Sequence, residues 1–327
     1  MTHPSSTNNH SNFQILQNNL NHNSASTDSI LSNPDSSPYT ILLLQEQYCL
    51  RNTLSSPNHS SWTLIEPTVA APLHPRVAIY INKRLLPTSM FEPVYLPFRD
   101  ATAVAIKTAS NKPMLIINIY NPHDYDLIAP LREYLQQHIR VEDYENIIMA
   151  GDFNLHHSLW NPQGYTVHDR RAEILLELIA DYGLRPLLPP GTITFPRYGT
   201  AIDLVWGNEA TQDVLLKCQV AADNDHGSDH YPIEIVLDLA PRLYTPSQTP
   251  YNYTKTNWAA LEYKLTELLP QVIDCEHATP ETLAQYAGDM VNALTTALME
   301  TTPRKKLCPF SKRWWNESLT QLRREVN

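Results

Sequence analysis

The feature that most constrains this chain is a series of short apolar runs, each broken off by polar or acidic residues. They include "FQILQNNL" (13–20), "YTILLLQEQY" (39–48), "RVAIYIN" (76–82), "ATAVAIK" (101–107), "MLIINIY" (114–120) and "NIIMAGDF" (146–153). "AIDLVWGN" (201–208), "VLLKCQVA" (214–221) and "YPIEIVLDL" (231–239) continue the series. Their length and polar flanks favour buried strands over helices. None approaches the roughly 18 apolar residues a bilayer-spanning helix needs. Helical spacing appears between them, over 127–139 and most clearly over 170–184, with a short helix expected around 25–32. In 170–184, Ile174, Leu175, Leu178, Ile179 and Tyr182 share one face and Gly183 suits the C-terminal cap. Repeated strands with a few helices predict an α/β (α+β) chain whose layers enclose packed sheets. No internal sequence repeat is visible, although two sheets can still be arranged pseudo-symmetrically.

Composition narrows the chemistry. Hydrophobic residues make up 42% of the 327, enough for a packed core. There are 26 prolines and only 8 glycines, and neither GxGxxG nor GxxxxGK[ST] occurs, so nucleotide cradles of those kinds are not expected. Cys49, Cys218, Cys275 and Cys308 are scattered without a CxxC pair, which argues against structural zinc and for a reducing, intracellular setting. The first residues, "MTHPSSTNNHSN", lack the apolar core of a signal peptide. The net charge is −10, and the acidic excess lies before residue 241. Such a body can still meet a polyanion if divalent cations sit among its carboxylates.

The polar residues at the ends of the runs carry the possible chemistry. Asn19 follows "FQILQN", Glu46 follows "ILLLQ", Tyr120 and Asn121 follow "LIINI", and Asp152 and Asn154 follow "IIMAG". Asp203 sits inside "AIDLVW", and Asp229 and His230 precede "YPIEIVL". Singly, each has an ordinary reading as a turn, a cap or a solvated strand end. Asp203 differs, because a carboxylate inside an apolar run needs a partner, and His230 is the natural candidate. If the sheets set these ends side by side, one rim collects hard oxygen donors and one imidazole, a set suited to Mg²⁺ or Mn²⁺. Asp152 and Asn154, two apart on an extended segment, are expected to point the same way, with Phe153 inward. His156 and His157 are read as loop residues.

Taken together, "LQNNLNH" (16–22), "LLLQE" (42–46), "NIYNP" (118–122), "GDFN" (151–154), "IDLV" (202–205) and "GSDHYPI" (227–233) resemble the endonuclease/exonuclease/phosphatase superfamily, the DNase-I-like and apurinic-endonuclease-like proteins. The resemblance covers about residues 12–240. "LQNNLNHN", "RVAIYINK", "GDFNLHHSLW" and "DNDHGSDHYPI" look most like endonuclease domains of LINE-type, non-LTR retrotransposons. It implies a four-layer α/β/β/α sandwich of two packed sheets and a Mg²⁺-dependent DNA endonuclease, with Mn²⁺ as a substitute, that nicks target DNA. It further implies Glu46 as the principal metal carboxylate, helped by Asn19 and Asp229, and Asp152 as the group that orients or deprotonates water. Asn154 and Tyr120 would hold phosphate oxygens, and Asp203 would orient His230 against the scissile phosphate. Two departures stand out. Asn21 replaces the Asp that apurinic endonucleases carry two residues after the first Asn, and Asn121-Pro122-His123 replaces their Pro-Asn after the tyrosine. Repair activity is not assigned. A phosphatase or exonuclease of the same superfamily, or a non-catalytic retroelement remnant, are the alternatives. A DNA substrate implies a nuclear location and no membrane association.

The domain plan that follows is a disordered 1–11, a catalytic domain at 12–240, a linker at 241–256 and a helical extension at 257–327. Asn257 and Thr279 are candidate caps of two helices, 257–269 and 279–302. The basic "PRKKLCPFSKRWW" (303–315) reads as a solvated linker, or as a backbone contact with Trp314 or Trp315 stacking on a base. "SKRWWNESLTQLRRE" (311–325) looks like the connector to a reverse transcriptase, whose Tyr/Phe-x-Asp-Asp motif this chain lacks.

Overall fold

A computed structural model describes residues 12–32, 37–50, 55–67, 74–167, 169–239, 251–271 and 279–304. The expected disordered terminus (1–11), most of the expected linker and the basic stretch beyond Arg304, with Trp314 and Trp315, lie outside the described residues. The chain separates into two compact units, 1–244 and 245–327.

The described part of the first unit holds twelve strands: β1 (Phe13–Asn19), β2 (Ile41–Gln45), β3 (Trp62–Ile65), β4 (Val77–Asn82), β5 (Phe91–Val94), β6 (Ala101–Ile106), β7 (Met114–Tyr120), β8 (Ile147–Asp152), β9 (Arg185–Pro186), β10 (Asp203–Gly207), β11 (Leu215–Val220) and β12 (Ile233–Leu237). Its helices are α1 (Ser24–Leu31), α2 (Ile128–His138), α3 (Arg171–Asp181) and α4 (Glu209–Asp213). One six-stranded sheet has the order β11-β12-β1-β2-β4-β3, the other β5-β6-β7-β8-β10-β9. Each has a single parallel pair at its centre, β1 with β2 and β7 with β8, and antiparallel neighbours on both sides. The two sheets therefore repeat one pairing pattern without repeating a sequence.

Alternation along the strands explains the layers. Ile15, Ile41 and Leu43 of one sheet meet Val104, Ile116, Ile148, Ala150 and Val205 of the other in a shared core. The opposite faces carry Leu16, Leu42 and Leu44, which pack with Ile30 and Leu31 of α1. On the other side, Leu115, Ile117 and Met149 pack under Leu131 and Leu135 of α2 and Leu175 and Leu178 of α3. The result is the expected four-layer α/β/β/α sandwich. Gly183 adopts φ 59° at the end of α3, as its capping position requires. The strands that patterning misses, β3, β5 and β9, are short and lie at or beside sheet edges, where little alternation is imposed; β5 even contains Pro93.

The second unit holds α5 (Trp258–Leu268) and α6 (Pro280–Thr301). Asn257 accepts from the Ala260 amide and Thr279 from the Thr282 amide, the two expected caps. Lys264 of α5 pairs with Glu300 of α6 at 3.0 Å. Among the described residues, no helix is long and apolar enough to cross a membrane.

Candidate active site

The inner faces of the two sheets change character along the strands. Positions 13 and 15 of β1, 41 and 43 of β2, 114 and 116 of β7 and 148 and 150 of β8 are apolar and form the shared core. One step further along come buried amides, Gln17, Gln45 and Asn118. Another step brings Asn19, Tyr120 and Asp152, with Asp203 opening the antiparallel β10 opposite Asp152. The same two-residue period that builds the core therefore delivers these side chains to one end of the sandwich.

The amides form a buried connection between the sheets. Gln17 Nε2 donates to Gln45 Oε1 at 2.7 Å and to Asp203 Oδ1 at 3.2 Å. Gln45 Nε2 donates to Asn118 Oδ1, and Asn118 Nδ2 donates to the carbonyls of Leu44 and Ala78 at 3.0 Å. Above them, Asn19 Nδ2 donates to Asp152 Oδ2 at 2.8 Å and to Glu46 Oε2 at 3.3 Å, again crossing from one sheet to the other. His230 Nδ1 lies 2.8 Å from Asp203 Oδ2. The Phe195 ring stacks on the imidazole with centroids 4.6 Å apart, and Thr194 Oγ1 accepts from the amides of Ile202 and Asp203.

Glu46 and Asn154 reach the site by backbone turns. Glu46 follows Gln45 and has φ 46°, and Asn154 has φ 48°. The expectation that Asp152 and Asn154 share a direction on an extended segment is corrected here. β8 ends at Asp152, and Asn154 bends back in the left-handed region, which Asn tolerates better than most residues. Its amide donates to Asp152 Oδ1 at 3.0 Å, and its Nδ2 to the Asn121 carbonyl at 3.0 Å. Asn121 closes this turn by donating to the Phe153 carbonyl at 2.8 Å. Phe153 is fully buried, as expected.

Electrostatics follow from crowding. Burial, reinforced by the charge of Asp203, pushes the Asp152 carboxyl up from its usual range against the pull of His230 and Asn19. Burial alone would lower the His230 pKa, but Asp203, with Asp152 and Asp229, outweighs it and raises the imidazole to about 9. Burial disfavours ionised Glu46, yet hydrogen bonds from His22, Tyr120 and Asn19 hold its carboxyl below the usual value. Burial and then Glu46 raise the Tyr120 phenol, so it stays protonated and can donate. The Arg76 guanidinium sits 5.0 Å from the Tyr120 ring centroid and grips Asp100 with two bonds of 2.7 and 2.8 Å.

The structure thus gathers Asn19, Glu46, Tyr120, Asp152, Asn154, Asp203 and His230. Asp229 is half-buried beside His230, and its Oδ1 is buried without a hydrogen-bond partner. Among the described residues, Asp152, Asp203 and His230 present donor atoms that all lie within 4.8 Å of one another. Excess carboxylate, an orphaned oxygen and oxygen-rich donors fit a divalent cation. His157 is a structural residue, buried against Trp160 and accepting from the Leu159 amide at 3.1 Å. His156 stacks on Tyr165 and, with Asn154, Phe195 and Tyr198, lines a cleft of about 400 Å³. Sequence reasoning missed Gln17, although it shares the parity of Ile15 and Asn19. It also missed Phe195, which no pattern marks, and Arg76.

Residues 114–234, which include Tyr120, Asp152, Asn154, Asp203, Asp229 and His230, match a family model described as endonuclease-reverse transcriptase. No curated protein matches the sequence. Among solved structures, the chain is similar to the endonuclease domain of TRAS1, a telomere-specific non-LTR retrotransposon, at 18% identity and TM-score 0.56, over 69% of this chain and 98% of that one. It is also similar to the catalytic domain of Xenopus laevis APE2, at 17% identity and TM-score 0.55, over 70% and 93%. The AP endonuclease LMAP from Leishmania major aligns at 11% identity and TM-score 0.52, over 69% and 87%. At these identities the structural likeness is one of fold.

Proposed function

From the premise that the chain has the fold of the endonuclease/exonuclease/phosphatase superfamily, we propose that it is a Mg²⁺-dependent DNA endonuclease that hydrolyses phosphodiester bonds. The observation that carries this reading is the meeting of Asp152 with the Asp203–His230 pair, within 4.8 Å, at the ends of strands from both sheets. The retroelement-like motifs and the match over 114–234 support target-site nicking as its setting.

Glu46, helped by Asn19 and Asp229, would hold the metal. A divalent cation bound there supplies charge for the phosphate and for the attacking oxygen. Asp152, with its raised carboxyl pKa, would orient a water and accept its proton. Its own two oxygens are fixed by Asn19 and the Asn154 amide, so its direction is set in advance. Tyr120, a protonated phenol, and Asn154 would donate to phosphate oxygens. His230, held cationic by Asp203, would stabilise the charge that develops on the scissile phosphate. The acidic excess of the body is no obstacle when the cation and His230 meet the phosphate.

The test is nicking of supercoiled plasmid with Mg²⁺, with EDTA, and with Asp152→Ala and His230→Ala. Mg²⁺-dependent nicking that both substitutions abolish supports the reading. A folded wild-type protein that leaves the plasmid intact in Mg²⁺ and Mn²⁺ refutes DNA nicking. Turnover of RNA or small phosphoesters by that same protein would then identify a phosphatase or exonuclease.

A further inference from the structure

Four residues other than glycine have positive φ among the described residues: Asn21 (45°), His22 (55°), Glu46 (46°) and Asn154 (48°). Glu46 and Asn154 already have places in the proposed site. Asn21 and His22 form the turn that leaves β1, and neither is among the residues of that site, although His22 hydrogen-bonds Glu46. A left-handed backbone is strained for a residue with a Cβ, so it persists only where its surroundings impose it. Here the His22 amide donates to the Glu46 carbonyl at 2.6 Å, and the Asn21 amide donates to Asn19 Oδ1 at 2.9 Å. The turn is thus tied to two residues that would hold the metal.

Its consequence is where the imidazole goes. His22 Nε2 lies 3.1 Å from Glu46 Oε1, while the other carboxylate oxygen faces Asn19. The Glu46 side chain is 17% exposed and the His22 side chain 59%, so the pair stands at the mouth of the site. Two neighbouring ligands of an octahedral ion with bonds of about 2.1 Å sit about 3.0 Å apart. The pair is a hydrogen bond of 3.1 Å, and a cation entering between the two atoms would replace its proton while leaving them as close as two ligands of one ion.

We propose that His22 supplies a nitrogen ligand to the divalent ion carried by Glu46, making the site a mixed nitrogen–oxygen site that favours Mn²⁺ over Mg²⁺. Mn²⁺ and Mg²⁺ both favour oxygen donors, but Mg²⁺ gives up water reluctantly and demands near-ideal octahedral geometry, so a nitrogen ligand costs it more than it costs Mn²⁺. The inference rests on Glu46 being the metal carboxylate of the proposed function.

The experiment is electron spin-echo envelope modulation on Mn²⁺-loaded full-length protein, with Mn²⁺ and Mg²⁺ affinities from titration. The wild type is compared with His22→Asn, His22→Gly, Glu46→Gln and His230→Gln. Asn and Gly both accept the left-handed turn, so the fold is kept. The expected result is an imidazole nitrogen coupling that both His22 variants lose and His230→Gln retains. Mn²⁺ affinity should fall about tenfold in the His22 variants while Mg²⁺ affinity stays within about twofold. Mn²⁺ binding that needs Glu46 but shows the same nitrogen coupling without His22 overturns the His22 assignment and leaves the proposed function standing. Full Mn²⁺ binding in Glu46→Gln removes the metal assignment itself, and the His22 inference with it.

Discussion

Asp203 Oδ2 and His230 Nδ1 are 2.8 Å apart, and the two residues come from different sheets. Asp203 opens β10 in one, and His230 precedes β12 in the other. Their pairing makes the protonation of the site depend on the packing of the sandwich. A histidine raised to about 9 in the fold binds its proton more tightly there than in the unfolded chain. That stability is fully present below about pH 6.5 and is lost as pH rises through about 9. We expect the His230 contribution, on the order of 3 kcal/mol, to vanish across this window. Urea unfolding of wild type and His230→Gln at pH 6 and pH 9.5 measures it as a difference of differences. Nicking should also decline above about pH 9, as His230 loses its charge. Two unfolding curves that run parallel across the window would refute the coupling.

Gln17 is a positioning residue for the same pair. Its Nε2 donates to Asp203 Oδ1, so the carboxylate is fixed on one oxygen by Gln17 and on the other by His230. Gln17→Leu leaves Asp203 Oδ1 and Gln45 Oε1 short of a donor in a buried setting, a loss of about 1–3 kcal/mol. The expected kinetic signature is a kcat about tenfold lower with KM little changed, because no substrate contact is removed. Gln17→Glu keeps the shape without the donor and should not restore kcat. A KM effect larger than the kcat effect would place Gln17 in substrate binding instead.

The legibility of the fold and site divides along physical lines. Central strands are readable because both faces are buried, so β2 and β8 are apolar up to a polar end, β7 is apolar but for Asn118, and β1 keeps an apolar Ile15-Leu16 centre before its polar end. Their polar ends marked Asn19, Glu46, Tyr120 and Asp152 as candidates, since the pleat sends alternate residues to one face. The pairing of Asp203 with His230 was likewise expected from the cost of burying an unpartnered carboxylate. Backbone bends were not readable. Nothing in "GDFN" announces that Asn154 turns left-handed, and nothing in "LNHN" announces that His22 is aimed at Glu46. Long-range partners such as Phe195 on His230 depend on how loops return to the sheet, which no local pattern encodes.

Gly151 supports the site through closeness alone. It has φ 144°, and a Cβ placed there would lie 1.9 Å from the Ile119 carbonyl oxygen of β7. No side chain can move to relieve that contact, because the obstacle is backbone. Gly151→Ala should therefore destabilise by roughly 3 kcal/mol or more, and the residue next to it, Asp152, should lose its alignment. Gly199→Ala is the control: it has φ 63° but nothing within 4 Å, so its cost should stay near 1 kcal/mol. Thermal and urea unfolding of the two variants give the comparison. Equal costs at the two positions would show that the β7–β8 approach is not limiting.

Asp152 carries the opposite trade. Its carboxyl is pushed up by burial and by Asp203, so the fold holds its proton more tightly than the unfolded chain does. Stability from this group is complete below the unfolded value near 4 and drains away as pH rises through the raised folded value. Asp152→Asn removes that loss. It should be close to wild type in stability at pH 4 and more stable at pH 8, by on the order of 1 kcal/mol or more, while nicking is abolished. A divalent cation eases the same repulsion in the wild type, so Mg²⁺ should narrow the gap at pH 8. Urea unfolding at both pH values, with and without Mg²⁺, alongside plasmid nicking, reads all three effects. If the variant is the less stable protein at pH 8, then the Asp152–Asp203 contact is not strained, and the carboxylate is held by more than Asn19 and the Asn154 amide.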